Sequence, residues 1–180
     1  MLLQTERSAL LVVDIQERLA PAVAGAAEII ARTKILFDAA TRLGVPIVVS
    51  EQYPKGLGGT DQRLRPLPNS AAVFPKNSFS CAREPRLRAH LDALRRRQVV
   101  VCGMETHVCV LQSALELQQA GYEVFACADA VGSRTEASKQ LGLDRLRDRG
   151  VDVVNAEMVL FEWLAVAGTE TFRELSRLIR

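Results

Sequence analysis

The sequence predicts an α/β fold: a three-layer α/β/α sandwich around a mostly parallel sheet of about six strands. Three observations lead there. Short β-branched or apolar runs alternate along the chain with longer segments of helical period. Those runs are apolar throughout rather than at every second residue, as in strands buried on both faces. Gly44, Gly121 and Gly150 each fall where a helical segment should stop and a strand begin, the position at which a left-handed residue costs glycine least.

Taken in order, strands are expected at Ala9–Val13, Pro46–Ser50, Ala72–Phe74, Val99–Cys102, Glu123–Ala128 and Val151–Asn155. Helices are expected at Ala27–Leu43, Pro85–Arg96, His107–Ala120 and Thr135–Arg149, with Met158–Ala167 and Thr171–Arg180 closing the chain. Strands joined by helical crossovers form parallel sheets covered on both faces. A length of 180 residues fits one domain, 1–180, with a sizeable core. One connection stands apart: Glu51–Ala71 is long, rich in Gly and Pro, and without clear period. Such a segment reads as a lid, a subunit contact or a solvated excursion.

Charge narrows the partners. Lys and Arg total 23 against 21 Asp and Glu, a formal net charge of +2, so no strong field points to nucleic acid or to an anionic membrane surface. The triplet Arg95–Arg97 is read as the solvated, dipole-complementing end of a helix. The start, MLLQTERSALLVVD, is poor material for a secretory signal, and nothing approaches the ~18 consecutive apolar residues of a membrane span. A cytoplasmic location is expected, with Cys81, Cys102, Cys109 and Cys127 as thiols rather than disulfide partners.

In an open parallel sheet, ligands bind outside the carboxyl ends of the strands. The first strand runs into Asp14 (ALLVVDIQ), the third reaches Lys76 (VFPKNSF), and the fourth is followed by GMETHVC, ending at Cys109. Three separate segments thus bring a carboxylate, an ammonium and a thiol to one edge. Alone, Asp14 reads equally as a turn cap and Lys76 as an ordinary loop lysine. Cys102 and Cys127, inside strand runs, read as small buried hydrophobes, and Cys81 has no assigned role. Cys109 differs by its place on a helix. With Thr106 as the N-cap it is the third helical residue, where free N–H groups and the dipole favour an anion. That setting and a nearby Lys76 should depress the thiol, with Asp14 accepting its proton. The same N–H groups suit an oxyanion.

These segments also carry a family resemblance. VVDIQ with Asp14, FPKNSFSC with Lys76 and VVVCGMETHVCVLQSALEL with Cys109 resemble the three signature blocks of the isochorismatase-like cysteine hydrolases, over about Ser8–Trp163. SEQYPKGLGGT and AEMVLFEWL are similar to segments of the isochorismatase domain-containing proteins. The resemblance implies a Rossmann-like topology and a catalytic triad of Asp14, Lys76 and Cys109. It implies a cis peptide between Met104 and Glu105, with the N–H groups of Glu105 and Cys109 as an oxyanion hole. It further implies hydrolysis of a small-molecule amide or related C–N bond through a thioester, and a homo-oligomer, a dimer or tetramer.

Two departures bear on substrate. Nicotinamidases carry a metal-binding Asp-x-His and a further His after the second strand, where this chain has Glu51, Gln52 and Tyr53. His90 and His107 form no ligand-spaced pair, so neither metal nor cofactor is expected. Enzymes that cleave the vinyl ether of isochorismate lack the cysteine, so Cys109 argues against that reaction. Gln16, Tyr53 and Phe79 follow the same strand ends and are candidate pocket residues. A dinucleotide-binding reading fails because Asp14 is followed by IQERL rather than a glycine-rich turn. A non-catalytic protein whose Cys109 thiol senses oxidants or binds a partner is the competing reading.

Overall fold

A computed structural model describes residues 1–179. Its strands are β1 (Ser8–Val13), β2 (Ile47–Gln52), β3 (Ala71–Lys76), β4 (Gln98–Met104), β5 (Glu123–Gly132) and β6 (Asp152–Val154). They form one sheet in the order β3-β2-β1-β4-β5-β6, with every neighbouring pair parallel. β1 lies between β2 and β4, with Leu10 opposite both Ile47 and Val100. The order of strands reverses beside β1, which opens a crevice at its carboxyl end.

The apolar runs explain the layers. Every residue of β1 is buried, and alternate side chains serve opposite faces. Leu10 and Val12 pack with Val49, Val100 and Phe125 under α1 (Ala26–Leu43) and the C-terminal helices. Leu11 and Val13 pack with Val48, Val99 and Val101 under the helices of the other face. On the first face the cover is completed by Leu160 and Trp163 of α6 (Ala156–Leu164) and Leu175 of α7 (Glu170–Leu175), α2 being the short turn Pro54–Leu57. On the second it comes from Leu87 and Leu91 of α3 (Pro85–Leu94), Leu117 of α4 (Leu111–Gln119) and Leu146 of α5 (Glu136–Asp148). The molecule is the α/β sandwich that the sequence predicts.

Element boundaries differ in places for local reasons. β5 runs to Gly132 because the apolar residues Ala130 and Val131 resume beyond a register shift against β4. At that shift Asp129 Oδ1 accepts the Ala156 N–H at 2.8 Å, adding to the cap that Asn155 provides to α6 by accepting the Met158 N–H. α3 stops at Leu94, not Arg96, since Arg95 takes a left-handed conformation (φ 53°). Arg95 is thus the C-cap of α3, and only Arg96 and Arg97 lie in the loop beyond the helix end. α6 ends at Leu164 before left-handed Ala165 (φ 56°). The last expected helix divides into α7 and a 3-10 turn at Ser176–Ile179, and its Arg180 lies outside the described residues.

The connection Glu51–Ala71 is folded rather than irregular. It holds α2 and a 3-10 turn at Gln62–Leu64. Glu51 Oε1 accepts from both N–H and Oγ1 of Thr60 at 2.7 Å, which draws the segment back onto the strand ends. No described helix is long and apolar enough to cross a membrane.

Candidate active site

The site is assembled at the carboxyl ends of β1, β2, β3 and β4. Asp14 leaves β1 with φ 52°, a left-handed conformation that aspartate tolerates, and its side chain is fully buried. Lys76, the last residue of β3, donates from Nζ to Asp14 Oδ2 at 2.7 Å. Neither side chain of this pair reaches solvent. The ammonium also donates to Gln52 Oε1 at 2.6 Å and lies 3.2 and 3.1 Å from the carbonyls of Ser78 and Phe79. Burial works against the Lys76 charge, but Asp14 and the neighbouring thiols outweigh it and hold the pKa above the ordinary lysine value.

Gly103 brings the turn that carries Cys109 over the carboxylate. It has φ 122°, and a Cβ there would lie 2.0 Å from the Val13 carbonyl oxygen. Only glycine lets β4 close this tightly on the end of β1. The peptide from Met104 to Glu105 is cis. The chain then winds one π-helical turn, Thr106–Val110, before α4, and the N–H groups of Val108 and Val110 donate to the Glu105 carbonyl. Among the described residues no backbone acceptor is paired with the Glu105 N–H.

Two expectations about this turn are corrected. The N-cap position belongs to Glu105, and the Thr106 hydroxyl is buried with no partner among the described residues. The wider π turn explains it: with five residues before α4, a hydroxyl at 106 does not meet the N–H two or three residues on. The Cys109 thiol is also not depressed. It is 6 % exposed, and burial pushes its pKa far up. The Asp14 carboxylate raises it further, by its charge and as a hydrogen-bond acceptor, and Lys76 only partly offsets this because it is shared with Asp14. Cys109 rests as a neutral thiol facing a carboxylate.

The remaining candidates are divided. Gln16 is buried and its amide is engaged by backbone: Nε2 donates to the carbonyls of Gln52 (3.0 Å) and Gly58 (2.7 Å), and Oε1 accepts the Gln52 N–H at 2.8 Å. It clamps the 51–71 connection to the site and presents no free polar atom. Tyr53 and Phe79 are 54 % and 55 % exposed, aromatic faces open to solvent beside Gln52 and Lys76. Two further residues touch the Asp14–Lys76 pair and a third lies behind them, none of them singled out by the sequence: Ser50 donates to Asp14 Oδ1 at 2.7 Å, Gln52 accepts from Lys76, and Cys81 donates to Ser50 Oγ at 3.4 Å. Ser50 and Gln52 did leave a trace, since β2 changes from apolar Ile47–Val49 to three polar residues in a row, Ser50, Glu51 and Gln52.

The histidines stand apart. His90 packs on Phe74 with ring centroids 5.1 Å apart, and His107 Nδ1 lies 3.0 Å from Ser133 Oγ. Among the described residues no group of three His, Cys, Asp or Glu side chains converges as a metal site would require.

Residues 8–158 match the family model described as the isochorismatase domain. A curated relative, isochorismatase domain-containing protein 1 of Danio rerio, is 41 % identical over 168 residues, covering 93 % of this chain. The chain spans only 59 % of that relative's length. The secreted isochorismatase effector Isc1 of Phytophthora sojae is 36 % identical, covering 96 % of this chain and 84 % of the relative. Among solved structures, one described as the MAR1 ribonuclease of Caenorhabditis elegans superposes with a TM-score of 0.93 at 32 % identity, covering 99 % of this chain and 92 % of that one. The family match spans β1 through β6, and with it every strand end that carries the buried Asp14–Lys76 pair and Cys109; the chain belongs to the isochorismatase family.

Proposed function

We propose that this protein is a cysteine hydrolase that cleaves a small-molecule amide or related C–N bond through a thioester on Cys109. The observation that carries the reading is the solvent-free Asp14–Lys76 ion pair, at 2.7 Å, set against a buried thiol. A buried charge pair is costly to assemble, and a carboxylate facing a neutral thiol is the arrangement a general base requires.

The chemistry then runs as follows. The Cys109 S–H proton passes to Asp14 as sulfur attacks the carbonyl carbon, and the oxyanion accepts hydrogen bonds from the N–H groups of Glu105 and Cys109. The C–N bond breaks as protonated Asp14 delivers that proton to the departing nitrogen. Asp14, again a carboxylate, takes a proton from water as water attacks the thioester, and the acid leaves as the thiol is restored. Lys76 stays protonated throughout, fixing the carboxylate and compensating charge. The neutral resting thiol weighs against the oxidant-sensing reading, which needs a standing, accessible thiolate.

The test is a panel of small amides, carbamates and ureas, with RNA as the competing substrate class. Cys109→Ala should reduce hydrolysis of any accepted small substrate by at least about 10³-fold. Intact mass should reveal an acyl adduct on Cys109 early in the reaction. Full turnover by Cys109→Ala would refute the scheme, and RNA cleavage that persists in that variant would move the function to other residues.

A further inference from the structure

The Asp14 carboxylate is held from two sides, and only one of them belongs to the proposed triad. Lys76 donates to Oδ2; on the other side Ser50 Oγ donates to Oδ1 at 2.7 Å, and the Cys81 thiol donates to Ser50 Oγ at 3.4 Å. Asp14, Ser50 and Cys81 are all fully buried. Cys81 is fixed in turn, because its N–H donates at 2.8 Å to the hydroxyl of Ser113 on α4.

Direction matters in this chain. A serine hydroxyl has one proton, and its neighbours decide where that proton points. Burial raises the Cys81 pKa to about 11, so at neutral pH the sulfur carries its proton and offers it to Ser50. The hydroxyl therefore accepts from sulfur and spends its own proton on Asp14. The reverse orientation would put the hydroxyl proton on a weak sulfur acceptor and leave Oδ1 without this donor. We propose that Ser50 and Cys81 are positioning residues for Asp14, a donor chain that aims its carboxylate and sets how readily it takes the Cys109 proton. This rests on the reading of Asp14 as the base for Cys109.

The pair can be written as thiol plus carboxylate in exchange with thiolate plus carboxylic acid, the same proton moving between sulfur and oxygen. A hydrogen bond to the carboxylate favours the first form. Loss of a bond to a charged group shifts such a balance by roughly 10- to 100-fold. Without the Ser50 donor the second form gains ground. The acid limb of Cys109 reactivity, where the pair gives up its first proton, moves to higher pH, while thiolate formation from the fully protonated pair is unchanged.

The experiment is the pH dependence of iodoacetamide alkylation at Cys109, followed by peptide mass spectrometry in the full chain. Ser50→Ala should move the acid limb of the profile up by about one pH unit or more, with rates below that limb unaltered. Ser50→Thr, which keeps the hydroxyl, should restore it. Cys81→Ala should shift the limb the same way by less, and Cys81→Ser should restore it. Profiles of Ser50→Ala and Cys81→Ala that superimpose on wild type would overturn the proposal. So would a free-thiol profile near ~8.5 in Ser50→Ala and Ser50→Thr alike, the mark of packing damage alone. Asp14→Asn separates the two levels. If it changes the Cys109 profile while Ser50→Ala does not, only the positioning role falls; if Asp14→Asn changes nothing, the base assignment falls and the positioning role with it.

Discussion

Thr106 has a buried hydroxyl with no partner among the described residues, in the turn that carries the candidate nucleophile. An unsatisfied buried polar group costs about 1–3 kcal/mol, so Thr106→Val, close in shape and without the hydroxyl, should leave stability unchanged or raise it by up to about that much. Urea unfolding decides this: a loss near 1 kcal/mol is the result for a capping hydroxyl and would restore Thr106 as the N-cap. The same residue shows what a sequence conveys at this scale. Asp14, Lys76 and Cys109 were legible because each lies at or shortly beyond the carboxyl end of a recognisable strand, inside a segment that resembles a family signature block. Ser50 and Cys81 were not, because their roles exist only as contacts: Ser50 meets Asp14 across 36 residues and Cys81 meets Ser50 across 31. Nor could residue type predict the raised Cys109 thiol. A helix entry argued for a thiolate, while burial and the facing carboxylate, both products of tertiary packing, argue the other way and prevail.

Among the elements, α3 and β5 are tied by one polar contact. Tyr122, just before β5, donates its hydroxyl to Asp92 Oδ1 on α3 at 2.6 Å, with the Arg88 guanidinium 5.4 Å from its ring. Burial and Asp92 raise the Tyr122 pKa to about 12, and the Tyr122 hydrogen bond is the largest cause holding Asp92 below its ordinary value. The folded chain keeps the phenol proton where the unfolded chain, with tyrosine near ~10, has lost it; the stabilisation is complete below ~10 and is lost as pH rises toward about 12. The lowered Asp92 acts in reverse, contributing above the ordinary carboxylate range and losing that contribution as pH falls through it. Tyr122→Phe should cost roughly 1 kcal/mol at neutral pH and lose stability less steeply than wild type from pH ~10 to ~12. Unfolding midpoints at pH 8, 10 and 11 test it; parallel curves would show the hydroxyl to be energetically idle. Element existence was readable from period and glycine placement, but ends were not. α3 stops short because Arg95, not a glycine, takes the left-handed position. β5 runs on because pairing with β4 resumes at Val131 and Gly132 beyond the register shift.

Over the whole molecule, the four cysteines act together. Cys81 is raised to about 11 and Cys102 to about 12, and Cys109 and Cys127 also stand above the ordinary thiol value, each primarily through burial. Every one retains its proton in the fold at a pH where an unfolded thiol, near ~8.5, gives it up. Stability should therefore be level up to about pH 8 and fall as pH climbs from ~8.5 toward ~11, with a linkage slope above one proton. Urea titrations across that interval measure the slope directly, and a flat profile would mean that the thiols are not sealed from water. The sandwich itself was legible in outline because doubly buried strands and helical crossovers leave few alternatives. Periodicity alone did not reveal which strands become neighbours, since the order around β1 depends on contacts between segments far apart in the chain. The Rossmann-like topology implied by the family resemblance did so, and the order β3-β2-β1-β4-β5-β6 agrees with it.

That order of strands has a practical corollary. Asp14, Lys76 and Cys109 lie on separate strand ends that meet only when β1 is flanked by both β2 and β4 and the sheet is complete. A partly folded chain has the three groups but not their meeting point. An acylating reagent that requires all three would consequently count intact molecules one by one, and the fraction of a sample it labels would serve as a census of correctly folded protein.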